Sequence, residues 1–313
     1  MSKTLYFAKI NINSESTFKS YKGEADLDKI MYKLGEKIKN NIKYVNTIEK
    51  IVDNETKVTE ELLEFTGINQ LEIDSKKIVV GNIVKSAKVF VNNVNKSTGE
   101  IVTSAVDNDE IVKFCFYPSE EIVAFYSANR FGYQKFKECF EVLINKCYDD
   151  EFFKVSLMNS GLSIENIKES LKKIKNIEEL KIDIIPPNPG KKLMKHLKEN
   201  AEKKIKSMES GRITEQTISF RSNYPDGLET ESEEIDKAIY ELTSIHTKLS
   251  LEESTKKGYV NIEARSKSGE IYNTDNNKLL KYKIPKNLSH DDSTFARCCK
   301  GVIDRLIKSQ FGG

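Results

Sequence analysis

The ten residues Lys181-Ile182-Asp183-Ile184-Ile185-Pro186-Pro187-Asn188-Pro189-Gly190 restrict this chain more than any other stretch, because three of its six prolines fall within four positions. Up to Ile185 the run alternates and is rich in β-branched residues, the pattern of a strand with a buried face. Pro186 and Pro187 stop the ladder: neither has an N–H to give, and each pushes the residue before it towards an extended conformation. Asn188 is placed to cap a helix and Pro189 to occupy its first position, where a missing amide costs nothing. A helix expected from Lys191 to about Met208 then opens with Lys191 and Lys192 at the positive end of its dipole. That opposition is worth about 0.3–1 kcal/mol per charge, and an anion would relieve it.

The 313 residues exceed one average domain. With 50 Lys and Arg against 48 Asp and Glu, the total charge selects no partner, so electrostatic arguments have to be regional. The five cysteines (Cys115, Cys139, Cys147, Cys298, Cys299) are odd in number and include no C-x-x-C pair, which predicts reduced thiols. No apolar run approaches the length of a membrane span, and the first residues carry no export segment, so a cytoplasmic protein is expected.

Hydrophobic periodicity divides the chain into three regions. Residues 1–109 read as a mainly β N-terminal domain with one helix in Asp26–Ile42 and strands at Thr4–Ile12, Lys43–Ile51, Asn69–Ile73, Lys77–Ile83, Ala87–Val94 and Glu100–Ala105. Residues 110–190 read as a β-β-α-β-α-β unit. Its strands are Ile111–Tyr117, Ile122–Ser127, Phe152–Met158 and the pre-proline run, and its helices are Tyr133–Cys147 and a Ser163-capped segment. Residues 191–313 read as an α+β C-terminal region: the basic helix, a strand at Thr217–Arg221, a helix from the acidic Glu229–Asp236 to about Leu249, a hairpin of Gly258–Arg265 and Ile271–Thr274, and a terminal helix, Ser293–Ser309. The fold class is α+β, with mixed sheets carrying helices on one face, a split βαβ-like central unit, and two or three subdomains.

Few catalytic patterns are present. His196, His246 and His290 are dispersed, so no metal centre and no cofactor is expected, and G-x-S-x-G, the P-loop and G-x-G-x-x-G are all absent. The Arg and His pairing of HEPN-type ribonucleases is missing as well. A metal-dependent nuclease is one alternative, with Asp226 and Glu263 holding Mg²⁺ and Arg265 standing where such sites use a lysine. The basic segment is more informative. From Lys191 to Ile213 there are eight Lys and Arg against three Glu, and Lys191, Lys192, Lys195, Lys198, Lys203 and Lys206 form a cluster suited to phosphates. The shortage of arginine favours backbone contact over bidentate base recognition.

The Phe-Cys-Phe-Tyr and Ala-Phe-Tyr-Ser hairpin, the Arg130-Phe131-Gly132 turn, two further strand-and-helix units and Ile-Pro-Pro-Asn-Pro follow one another in an order that resembles the RexA family of phage-exclusion proteins of lambdoid prophages. The layout is still more similar to an uncharacterised bacterial prophage and defence family with a strand followed by Pro-Asn-Pro. The resemblance runs from Ile111 to Pro285. It implies a non-enzymatic, sequence-tolerant DNA-binding homodimer that senses infection and signals to a membrane effector, with duplex DNA as ligand and no catalytic residues. The acidic Glu229–Asp236 stretch confines such binding to the basic face. A protein-interaction subunit of a defence complex, recognising a phage protein, is the third alternative.

Overall fold

Phe114-Cys115-Phe116-Tyr117 and Val123-Ala124-Phe125 have no polar side, and strands apolar on both sides must be covered on both faces of their sheet. The computed structural model describes residues 2–52, 55–94, 96–99, 101–126, 131–188, 199–245, 258–285 and 291–311. In chain order its elements are β1 (Ser2–Ile12), α1 (Glu15–Tyr21), α2 (Leu27–Lys37), β2 (Lys43–Val52), β3 (Glu55–Ile73), β4 (Lys76–Val94), β5 (Ile101–Tyr117), β6 (Ile122–Tyr126), α3 (Tyr133–Cys147), β7 (Phe153–Leu157), α4 (Ile164–Lys173) and β8 (Ile177–Ile184). There follow α5 (Glu199–Ser210), β9 (Gln216–Arg221), α6 (Glu233–Ile245), β10 (Val260–Ser266), β11 (Ile271–Asn273), β12 (Lys281–Pro285) and α7 (Asp292–Phe311).

Eight strands form the larger sheet, in the order β12-β1-β6-β5-β4-β3-β2 with β7 also on β1. One edge of β1 pairs with β6, while the other takes β12 along its first half and β7 along its second. Phe114, Phe116 and Phe125 face α2 and α3, where Phe125 stacks on Phe136 with ring centroids 3.7 Å apart. Leu5, Phe7, Cys115 and Tyr117 point the other way, under Phe295, Cys299 and Val302 of α7. The smaller sheet runs β11-β10-β8-β9. Its apolar face (Leu180, Ile182, Ile262, Ala264) packs on Ile167 and Leu171 of α4 and on Ile235 and Ile239 of α6. No helix among the described residues is long and apolar enough to cross a membrane.

The class is α+β, as expected. Its details differ in three ways. Every strand ladder among the described residues is antiparallel, and helices cover both faces of the larger sheet because β1, β5 and β6 are apolar on both sides. The β-β-α-β-α-β order is present as β5-β6-α3-β7-α4-β8, but β8 leaves for the smaller sheet, so no split βαβ unit forms. The boundary expected at 109 falls inside β5, which pairs with β4 without interruption from Ile101 to Phe116.

The proline element joins the two sheets. Ile185 to Asn188 are buried, and the Ile185 amide donates to Tyr259 O at 2.9 Å. The helix start expected after Asn188 lies outside the described residues, and Asn188 is 5% exposed. Its Oδ1 accepts from the Ile12 amide at 3.0 Å, while its Nδ2 donates to Glu121 Oε2 at 2.8 Å and lies 3.4 Å from Ile10 O. One primary amide thus takes both the acceptor and donor roles of a peptide group, at the point on β1 where β6 has ended. The Tyr21 hydroxyl donates to Pro187 O, which fixes the strap from a second side. Asn188→Ala leaves the Ile12 amide buried and unpaired, so it is expected to destabilise the chain by about 1–3 kcal/mol. Urea denaturation followed by fluorescence and by circular dichroism checks this, and an unchanged midpoint would show the strap to be dispensable.

Candidate functional site

Where the strap brings the smaller sheet against α3 and β7, a cleft of about 250 Å³ remains. Gln134, Lys137, Glu138 and Glu141 form one wall, at i, i+3, i+4 and i+7 on α3, away from the buried Phe136 and Phe140. Lys154, Val155 and Ser156 of β7 form another, and Asp183, Ile185, Glu215, Gly258, Asn261 and Asp275 come from the smaller sheet and its connections. Gly258 has φ +68°, and a Cβ there would lie 2.0 Å from the Ser156 Cβ, so a bare backbone is needed at the seam.

The polar residues are held firmly. Asp275 lies in the single turn Thr274–Asn276, where Asn273 Oδ1 accepts its amide at 2.8 Å. Thr274 Oγ1 accepts from the Ile262 amide at 2.9 Å and donates to Asn261 Oδ1 at 2.7 Å. The Asp275 carboxylate is 3% exposed. Its Oδ2 lies 2.8 Å from Lys137 Nζ, while its Oδ1 is buried without a partner, as is Oε1 of Gln134. Burial works against the Lys137 ammonium, but the Asp275 carboxylate outweighs it, with help from Glu141 and Glu138, and the amine's pKa is raised. Glu141 is pushed up by burial despite accepting the Val155 amide at 2.8 Å and despite the nearby Lys154 and Lys137. Asn145, one turn along, donates to Phe153 O at 2.9 Å and accepts from Phe153 N at 2.8 Å. Together the two side chains close the outer edge of β7.

The residues singled out in the sequence lie elsewhere. Lys191, Lys192, Lys195 and Lys198 fall outside the described residues, as do all three histidines. Lys203 and Lys206 are exposed on α5, whose buried side (Ile205, Met208) packs on Phe18 and Tyr21 of α1. Glu263 and Arg265 share the polar face of β10: Glu263 accepts from Asn273 Nδ2 at 3.1 Å and lies 3.9 Å from the Arg265 guanidinium. Asp226 is exposed in the loop after β9 and lines a separate open depression. Among the described residues no group of three or more His, Cys, Asp or Glu is arranged to hold a metal ion. The five cysteines are free, and burial pushes the Cys139 and Cys147 thiols up to about 12, which makes them poor nucleophiles.

A family profile described as a domain of unknown function (DUF4747) matches residues 3–296. The chain belongs to this family. No curated protein matches it. The family span takes in both sheets and the cleft between them.

Lys137, Glu141 and Asp275 match no motif, and sequence reasoning passed over them. The only sign is the polar stripe at 134, 137, 138 and 141, which any amphipathic helix facing water also shows. A carboxyl whose native pKa is raised binds more protons folded than unfolded, so stability falls as pH rises from its ordinary 4.5 through the native value. Glu141→Gln keeps an acceptor for the Val155 amide and removes the buried charge. The variant is expected to be at least as stable at pH 7 and to show a flatter melting temperature profile above pH 4.5, measured by thermal denaturation; a steeper profile would contradict this.

Proposed function

We propose that this DUF4747 member is a nucleic-acid-binding protein that contacts phosphates without sequence specificity. The supporting observation is the presentation of α5. Its apolar side is anchored on α1, with Ile205 5% and Met208 2% exposed. Lys203 and Lys206 are exposed. They end the same lysine-rich run that contains Lys191, Lys192, Lys195 and Lys198. Lysines on a fixed helix neutralise phosphates at small conformational cost and read no bases. Duplex DNA is the proposed ligand. The resemblance of residues 111–285 to the RexA family supports a proposed role in phage exclusion, as a cytoplasmic homodimeric sensor that signals to a membrane effector.

Binding to unrelated duplexes should weaken steeply between 50 and 200 mM salt, a range over which six to ten phosphate contacts lose about 10³–10⁵ in affinity. Replacing both Lys203 and Lys206 by Glu should lower affinity equally for all sequences and reduce the salt slope by about 1.8, two contacts at roughly 0.9 each. Fluorescence anisotropy measures both. Equal affinity at the two salt concentrations would exclude the proposal.

A further inference from the structure

We propose that the cleft between α3 and the smaller sheet binds a small organic cation, a compound carrying a primary ammonium or guanidinium group. The buried hydrogen-bonding groups left unpaired on its walls, Asp275 Oδ1 and Gln134 Oε1, are both acceptors. A buried acceptor without a partner is costly, so the complementary ligand is a donor. An ammonium offers three N–H bonds and a guanidinium five, and neither accepts any.

Charge points the same way. Glu138, Glu141, Asp183, Glu215 and Asp275 line the cleft, against only Lys137 and Lys154. Both ammoniums are already matched, Lys137 to Asp275 at 2.8 Å and Lys154 to Glu215 at 3.3 Å. An anion would therefore meet no uncommitted cation on these walls. A divalent ion would need several carboxylates converging on one point, an arrangement not found among the described residues. The Lys137 ammonium, seated against Asp275, shows that the site accepts this kind of group. A volume of about 250 Å³ lies just below the range of drug-sized pockets, which favours a short amine over a nucleotide or peptide. Because the walls come from both sheets, a ligand held here bridges them.

The test uses the full chain with putrescine and agmatine as probes, with 1,4-butanediol, succinate and magnesium chloride as comparators, in titration calorimetry and thermal melting. One of the amines should bind saturably with one-to-one stoichiometry and raise the melting temperature, while the comparators do neither. Asp275→Asn should weaken binding about tenfold or more, the scale of a lost charged hydrogen bond. Should that variant not fold, Glu138→Gln, whose side chain is exposed, should still weaken binding measurably. The proposal is overturned if neither amine saturates at millimolar concentration, if succinate or magnesium binds instead, or if amine affinity is the same in the folded variants as in the wild type.

Discussion

A strand that ends or turns away exposes backbone N–H and C=O groups on its neighbour, and inside a protein each of those groups must find a partner. This chain solves the problem twice in the same way. Asn188 supplies β1 with the peptide-like pair of bonds that β6 no longer gives, and Asn145 does the same for the outer edge of β7 at Phe153. The rest of the architecture depends on these two amides. The first ties the segment after β8 to the larger sheet, and the second seats α3 against the strand that forms the other wall of the seam. The cleft is the space left over where the two closures meet.

The near-balance of 50 basic and 48 acidic residues conceals an uneven distribution. Lys203 and Lys206 are exposed on α5, whereas five carboxylates line the cleft, and the connection from α5 to β9 carries Glu215 to the cleft wall. The two proposed ligands, a cation and a polyanion, would therefore not compete for a surface. Screening separates the two regions further. Surface lysines act through water and salt, while the Lys137 and Asp275 pair, shielded by protein, is little affected by ionic strength.

Much of the fold was legible from residues 111 to 177, where apolar periodicity is clean. α3 was placed at its observed limits, and Ser163 caps α4 as its position suggested, accepting the Asn166 amide at 3.2 Å. The first half of β3 was not legible, because Glu61 occupies an inward position between Leu63 and the solvent and breaks the alternation. Inside the fold it is neutralised by Lys135 at 2.8 Å and Lys85 at 3.8 Å, partners distant in sequence. α1 was missed because seven residues with Phe18 as the main apolar anchor carry too little pattern. The sequence suggests only a local role for Asn188, as a cap, while its partners among the described residues lie 67 to 178 positions away. The cleft escaped for the same reason: its walls come from six separated segments, none unusual alone.

β1 offers a last lesson, about time. It pairs with β6 near residue 124, β7 near 155 and β12 near 283, and it receives Asn188 as well. None of these partners is close in sequence, so the strand cannot complete its ladder while its own neighbourhood is being made. At translation rates of about 5–20 residues per second, roughly a quarter of a minute to a minute separates its synthesis from that of its last partner. Until β6 has been made, Leu5, Phe7, Ile10 and Ile12 have no partner strand to enter a sheet with. A fold closed through such distant partners is slow by topology, which lengthens the time its apolar strand stays uncovered.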